Sequence, residues 1–174
     1  MTNRKIIFFF FGATAFFMLL LQIQGRHLIT PQSPLGILSL EFSYKVSHAQ
    51  TIVNHWNPAL QGAFKINMLL DFLFIPFYGL FLYSACGYFS VHYRAHWAQR
   101  LGVLLAFGSL MAMVFDVTEN IAMIFSMFVA TSSISTALTA TMATLKFTLI
   151  GMAVTFIVIS ALASPFYQRT NRHL

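Results

Sequence analysis

Apolar residues are concentrated in four long stretches, which are separated by more polar segments. The stretches lie near residues 6–23, 63–88, 101–129 and 137–163. A helix needs roughly 20 apolar residues to cross about 30 Å of hydrocarbon, so each stretch is long enough to span a bilayer. The pattern therefore predicts an all-α fold, a four-transmembrane-helix bundle that forms a single membrane domain over residues 1–174.

The first stretch also has the basic start and the apolar middle of a signal peptide. A cleavage site would need small residues two positions apart after the apolar run. Here Gln22, Gln24 and Arg26 lead into a polar segment instead. We therefore expect a retained first helix.

Lysine and arginine are unevenly shared between the two ends of the predicted helices. Cytoplasmic loops usually carry the excess of these residues. One end holds Arg4, Lys5, Arg94, Arg100, Arg169 and Arg172, and the other holds Arg26, Lys45 and Lys65. We expect a multi-pass protein of the bacterial plasma membrane with both termini in the cytoplasm.

The segment over residues 24–62 is predicted to form a small extracytoplasmic cap. Apolar and polar residues alternate over residues 38–46, which is the period of a half-buried strand. A lone strand has no partner, so an extended or helical piece lying on the bundle is the alternative. The cap either packs the bundle or covers a site, and its candidate residues are Glu41 and Trp56.

A short amphipathic helix is expected in the second half of the cap. Ser47 and Gln50 have the spacing of a capping box, and the apolar residues that follow recur at i, i+3, i+4 and i+7. Pro58 restricts the backbone of Asn57, so the helix should end there.

The composition indicates which solvent surrounds the protein and leaves the predicted fold unchanged. Of 174 residues, 58% are hydrophobic and 8% are charged, against about 25% charged in a typical soluble domain. Lipid must therefore cover much of the surface, which excludes a disordered chain and an ordinary cytosolic enzyme. The net charge of +6 is spread between the helices, so we expect no nucleic-acid partner. A single cysteine, Cys86, excludes paired-cysteine redox and zinc sites.

Polar side chains interrupt three of the apolar stretches at overlapping depths. A charged residue near the bilayer centre costs about 2.5–3.5 kcal/mol on insertion scales, so such residues usually face the bundle and find partners. Their helical spacing, together with small residues such as Gly108, Ala112 and Ala143, places them on inward faces. The expected ligand-binding set is Asn67, Asp71, Tyr78, Asp116, Glu119, Asn120 and Lys146.

Pro76 lies in the middle of the second stretch, close to Asp71. It cannot donate a backbone hydrogen bond, and it clashes with the carbonyl of Phe72. The proline either exposes that carbonyl to the polar layer or only bends the helix for packing.

The acidic residues of this polar layer outnumber its single basic residue. Asp71, Asp116 and Glu119 against Lys146 leave a formal charge of −2, which is unfavourable in a medium of low dielectric constant. Three remedies stay open. One or two carboxyls hold protons, a substrate amine or a metal ion binds, or Lys65 and Arg26 reach in from the boundary.

No known cofactor or metal motif is visible. His92 and His96 have helical i, i+4 spacing, but no third ligand accompanies them. Nucleotide loops, nucleophile elbows and zinc-protease motifs are absent from the sequence. We therefore expect no metal and no cofactor.

Four short motifs give the chain a resemblance to a known group. They are Leu40-Glu41 followed by Trp56, the run from Asp71 to Tyr78, Asp116 with Glu119 and Asn120, and Lys146-Phe147. With these motifs in order, the chain resembles a group of uncharacterised bacterial four-helix integral membrane proteins. The resemblance implies the fold and the choice of residues, and no particular activity.

The leading functional hypothesis is a small membrane protein that binds a hydrophobic or amphipathic ligand, with its polar head at the buried layer. Membrane lipid and such a small molecule are the expected partners. An enzyme acting on that ligand stays open, with Asp116 or Glu119 as general acid or base and Lys146 as electrostatic partner. The alternatives are a proton- or cation-coupled transporter that works as a homo-oligomer, and a structural or assembly subunit.

Overall fold

The computed structural model describes residues 4–91, 93 and 95–170, with the backbone alone for 164–170. It is 86% helix, and the described residues contain no strand. Six α-helices follow one another, and we number them α1 to α6 in chain order. They are α1 (Arg4–Gly25), α2 (Leu38–Glu41), α3 (Val46–His55), α4 (Pro58–Ser90), α5 (His96–Phe128) and α6 (Ser133–Thr170); a 3-10 turn, Arg26–Leu28, follows α1.

Four of these helices, α1, α4, α5 and α6, are long and apolar enough to cross a membrane. The prediction of an all-helical fold with four such helices is therefore confirmed. Helix α4 begins at an ordinary N-terminal cap. The Asn57 side chain accepts a hydrogen bond of 3.0 Å from the Leu60 amide, and Pro58 occupies the first turn, where its missing N–H costs nothing.

Helix α5 is central, because it packs against both α4 and α6. Helix α1 lies at the periphery against α4 and has no buried residue. Small residues allow the central helices to approach each other. A Cβ atom at Gly79 of α4 would meet the side chain of Met113 on α5, so a larger residue here would require that flexible side chain to move.

Residues 26–57, which we call the connecting segment, fold differently from part of the sequence expectation. Residues 38–46 form no strand; α2 is a four-residue helix, since no second strand is present to pair with it. Ser39 and Ser43 in this stretch are buried, and each bonds to the local backbone. Ser39 Oγ accepts from the Leu35 amide at 3.0 Å, and Ser43 Oγ donates to the Ser39 carbonyl at 3.0 Å.

The amphipathic helix expected in this segment is present as α3. Its apolar face, with Ala49, Ile52 and Trp56, is buried as the spacing predicts. The capping box is wrong: α3 begins two residues earlier than Ser47 at the N-cap would require, with Lys45 at the N-cap and no side-chain cap. Ser47 therefore lies inside the first turn, where its carbonyl accepts from the Thr51 hydroxyl at 2.9 Å.

The connecting segment packs on one end of the bundle. That end is formed by the start of α4, the end of α5 and the start of α6. The buried apolar contacts comprise Leu28, Leu40, Ala49, Ile52 and Trp56 from the segment with Phe64, Met68, Met123 and Met127 from the long helices. Tyr44 adds a hydrogen bond of 2.5 Å to Thr144 of α6. This packing places Glu41, the last residue of α2, beside α5 and α6.

Candidate functional site

A buried lysine of α6 is the centre of the candidate site. Lys146 Nζ lies 2.8 Å from Asp116 Oδ1 and 2.8 Å from Glu119 Oε2, both on α5, and 3.9 Å from Glu41 Oε2 of α2. The contact with Asp116 is also a hydrogen bond. The four side chains are between 0% and 9% exposed, so the group is closed to solvent.

Polar groups of α4 extend the site on the other side of α5. The Tyr78 hydroxyl donates to Asp116 Oδ2 at 2.8 Å. The Asn120 amide donates to Asp71 Oδ2 at 2.5 Å. Asp116 thus has one oxygen on a lysine and the other on a tyrosine, while the half-buried Asp71 is held by an amide.

The site contains every acidic residue of the chain. The sequence has four Asp and Glu in total. Glu41, Asp116 and Glu119 are ion-paired with Lys146, and Asp71 is held by Asn120 of α5. Fully ionised, the group, which we call the carboxyl cluster (Glu41, Asp71, Asp116 and Glu119 with Lys146), would carry −3. An excess of this size is unfavourable in a buried site unless it is compensated by positive charge.

Two of the carboxyl groups share one ammonium group. The Oε2 atoms of Glu41 and Glu119 lie 3.9 and 2.8 Å from Lys146 Nζ. Ionised carboxylates only accept, so two such groups form a hydrogen bond with each other only when one of them carries a proton. Glu41 Oε2 and Glu119 Oε1 have no hydrogen-bond partner among the described residues, whereas Glu119 Oε2 is ion-paired with Lys146.

Glu41 lies outside the spanning helices, and its environment disfavours the charged form. Burial raises the pKa of the Glu41 carboxyl above its ordinary value of 4.5. The attraction of Lys146 and the contact with Glu119 lower this pKa only in part, while the charge of Asp116 raises it further.

The remaining sequence-predicted residues fall into two groups. Tyr78, Asp116, Glu119 and Lys146 are joined by direct contacts, and Asp71 is bonded to Asn120. Asn67 is buried but bonds to a different partner, since its amide donates to Gln24 of α1 at 2.7 Å. It therefore helps to attach α1 to α4 rather than to complete the cluster.

One of the three expected ways to compensate the excess negative charge does not occur in the structure. Lys65 is exposed and lies 5.0 Å from the ring centre of Phe128, and Arg26 is exposed as well. Neither basic group reaches the cluster. The other two remedies, a proton or a bound cation, are therefore left to compensate the charge.

The sequence predicts Glu41 as a residue of the cap, separate from the buried polar layer, whereas the structure places it in the carboxyl cluster. A signal was nevertheless present: only four acidic residues occur in the chain, and Glu41 lies between apolar Leu40 and Phe42. A lone carboxylate in an apolar run needs a basic partner, and Lys146 is the lysine at the centre of a spanning stretch.

The structure offers no metal centre in its described part. Within residues 4–91, 93 and 95–170, no three His, Cys, Asp or Glu side chains are arranged to hold a metal ion. His92 of the weighed histidine pair, like Arg94 and Arg172 of the orientation argument, lies outside the described residues.

A second feature is an apolar groove between α5 and α6, away from the carboxyl cluster. Its volume is about 880 Å³, and its walls include Trp97, Leu101 and Leu105 of α5 and Phe147, Met152 and Phe156 of α6. One end of the groove reaches Phe147, the residue that follows Lys146. The groove thus approaches the cluster along the chain, although no acidic residue lines it.

Comparison with protein-family models, with curated proteins and with solved structures gives no match for this chain. The resemblance drawn from the sequence motifs therefore stays an expectation, and the functional argument depends on the geometry alone.

Replacement of Lys146 by methionine should destabilise the protein at neutral pH by about 3–5 kcal/mol, the usual effect of leaving buried charge unpaired. The loss should shrink at acidic pH, because protonated carboxyls no longer need a cation. Thermal unfolding in detergent at several pH values measures both effects. Lys65→Met is the matched control, and equal stability of the two variants at every pH would contradict the role given to Lys146.

Glu41→Gln should stabilise the protein at neutral pH. The folded-state pKa of Glu41 is raised, so the parent loses stability as pH rises through and above the unfolded value of 4.5. The amide removes this loss, so the two unfolding temperatures should converge as pH falls to about 4. A variant that is less stable than the parent at neutral pH would show that the ionised carboxylate is the favoured form.

Proposed function

We propose that this chain is a small multi-pass membrane protein that binds and releases a proton at the carboxyl cluster, as a proton-coupled transporter does. The observation that carries the proposal is the convergence of three acidic side chains, Glu41, Asp116 and Glu119, on one buried lysine. Compensation requires positive charge from outside this set. The adjacent carboxyls of Glu41 and Glu119 are the pair that one shared proton would join.

A proton fits the site better than a larger cation. The side chains around Lys146 are nearly inaccessible, and the described carboxylates are not arranged as metal ligands. A proton needs only a carboxylate oxygen that lacks a donor, and Glu119 Oε1 and Glu41 Oε2 are such oxygens. Gain of a proton then joins the two glutamates, and its loss leaves two negative charges in contact.

The position of Glu41 suggests how protonation acts on the rest of the molecule. Glu41 belongs to the connecting segment, whereas Glu119 and Lys146 belong to the long helices. Repulsion between Glu41 and Glu119 would loosen the packing of this segment on the bundle. A proton-dependent contact between a short segment and a buried site is a gate of the type that alternating access requires.

The topology and assembly belong to the same proposal. The four spanning helices and the distribution of lysine and arginine support a plasma-membrane protein with both termini cytoplasmic and the connecting segment as an extracytoplasmic cap. Four helices are few for a complete transport path, so we propose that the working form is a homo-oligomer.

Proton movement in proteoliposomes tests this function. Protein is reconstituted at several protein-to-lipid ratios around a trapped pH-sensitive dye, and a membrane potential is imposed with potassium and valinomycin. The parent should acidify or alkalinise the lumen faster than protein-free vesicles, and Glu119→Gln should abolish the difference. Lys65→Met, which removes a charge outside the cluster, should behave as the parent. Parent rates equal to those of empty vesicles at every ratio would contradict transport.

The groove supports a second candidate, the binding of a lipid or another amphipathic molecule. Its apolar walls suit a hydrocarbon chain, and Trp97 at its edge is of the residue type found at membrane interfaces.

Gly151→Leu should fill part of the groove, because a side chain at Gly151 meets open space. Gly87→Leu also meets open space but lies outside the groove, so it is the matched control. Mass spectrometry of the gently purified protein should find a bound lipid in the parent and in the control, and less of it in Gly151→Leu. Equal lipid content in all three would contradict this candidate.

A further inference from the structure

The interface between α5 and α6 carries a row of buried hydroxyl groups beyond the carboxyl cluster. Ser126 of α5 and Ser135, Thr136 and Thr139 of α6 are each at most 5% exposed. Ser126 Oγ donates to Ser135 Oγ at 2.8 Å. The half-buried Ser132, at the start of α6, donates to Ser135 Oγ at 3.2 Å.

Two contacts fix the register of these antiparallel helices. Asp116 pairs with Lys146, and Ser126 pairs with Ser135. The contacts are ten residues apart on α5 and eleven apart on α6, or about 15 and 16 Å at 1.5 Å per residue. Thr139 lies between them, about 6 Å along the axis from Ser135 and about 10 Å from Lys146. The hydroxyl row therefore extends from the α5–α6 connection toward the cluster.

The hydroxyls of Thr136 and Thr139 differ from those of other helical threonines. Six threonine hydroxyls donate to the carbonyl four residues earlier in their own helix: Thr14, Thr51, Thr118, Thr144, Thr148 and Thr155. Thr136 Oγ1 and Thr139 Oγ1 are buried without a hydrogen-bond partner among the described residues. A buried hydroxyl without a partner is unfavourable, so packing alone does not explain these two.

Buried polar atoms without a hydrogen-bond partner occur at Thr139 and again at the carboxyl cluster. At the cluster they are Glu41 Oε2, Glu119 Oε1 and Asn120 Oδ1, while Glu119 Oε2 is ion-paired with Lys146. Buried polar groups of this kind are usually satisfied by ordered water. Buried hydroxyls that neither helix uses, on the same helix interface as carboxyl oxygens without a donor, are the parts of a hydrogen-bonded relay.

We propose that Ser132, Ser135, Thr136 and Thr139 line the path by which a proton travels between the α5–α6 connection and Glu119. This inference rests on the proposed function and gives its route. Because the Thr136 and Thr139 hydroxyls do not bond to each other or to Glu119, water molecules between them complete the proposed path. In each step the oxygen of a hydroxyl or of a water accepts a proton and releases another to the next oxygen, so only O–H bonds form and break. The last step forms the O–H bond of a Glu119 carboxylic acid, and the reverse sequence returns the proton.

The charged and titratable groups that face the end of this path come from every packed element. They are Glu41 of α2, Asp71 and Tyr78 of α4, Asp116 of α5 and Lys146 of α6. Because the path ends at Glu119, its hydroxyls should control how fast the cluster exchanges protons. They should not change how many protons it holds at a given pH.

The test compares threonine variants of the full chain in the proteoliposome assay. Thr139→Val keeps the shape and removes the hydroxyl, and it should slow proton movement about tenfold. Thr139→Ser keeps the hydroxyl and should retain the parent rate. Thr148→Val is the matched control, because that hydroxyl bonds to its own helix at 2.7 Å. Thermal stability of Thr139→Val should equal or exceed that of the parent, since the lost hydroxyl has no partner.

The outcomes separate this inference from the function on which it rests. Slow movement in Thr139→Val, with parent rates in the serine variant and the control, supports the path. An active parent with an unchanged Thr139→Val rate overturns the path and leaves the proposed function standing, as does equal slowing in Thr148→Val. A parent no faster than Glu119→Gln overturns the proposed function and the path with it. If Thr139→Val does not fold, Thr136→Val takes its place with the same expectations.

Discussion

Lys146 is the only basic side chain described in contact with the carboxyl groups of this protein, and it is ion-paired with three of the four, Glu41, Asp116 and Glu119. In the low dielectric of a buried helix interface, each of these carboxyls needs a partner, and one lysine cannot serve all of them. Tyr78 and Asn120 supply hydrogen bonds to Asp116 and Asp71, but neither supplies charge. The residual imbalance concerns Glu41 and Glu119, where a proton has both a site and an energetic reason to bind.

The same ion cluster also joins two structurally different parts of the chain. Helices α5 and α6 deliver Asp116, Glu119 and Lys146 from long, rigid elements. The connecting segment delivers Glu41 from a four-residue helix held by apolar contacts around Trp56. In the proposed function, a change of charge at the cluster would therefore act most directly on α2, the shortest helix that contributes to it. A local protonation event would then have a structural consequence at the end of the bundle.

Sequence reasoning predicted the four spanning helices and the burial of Asp116, Glu119, Asn120 and Lys146, because hydropathy and 3.6-residue spacing determine both. It did not predict that Asn67 would bond to Gln24, since one helical face of α4 meets two different neighbours at different heights. It also separated Glu41 from the cluster. That contact depends on how residues 26–57 fold back onto the helix ends, and alternation over residues 38–46 suggested a strand where α2 forms. A short segment that folds back onto helices distant in the sequence leaves no periodic pattern of apolar residues to predict that contact.

The most direct test of the central claim is infrared spectroscopy of the protein in lipid at neutral pH, which separates the C=O band of a protonated carboxyl from the bands of ionised carboxylates. All four acidic residues lie in the cluster, so the side-chain carboxyl signal comes from this site. The account predicts a protonated-carboxyl band in the parent that disappears when Glu41 and Glu119 are both replaced by glutamine. A spectrum with only ionised carboxylates would contradict it.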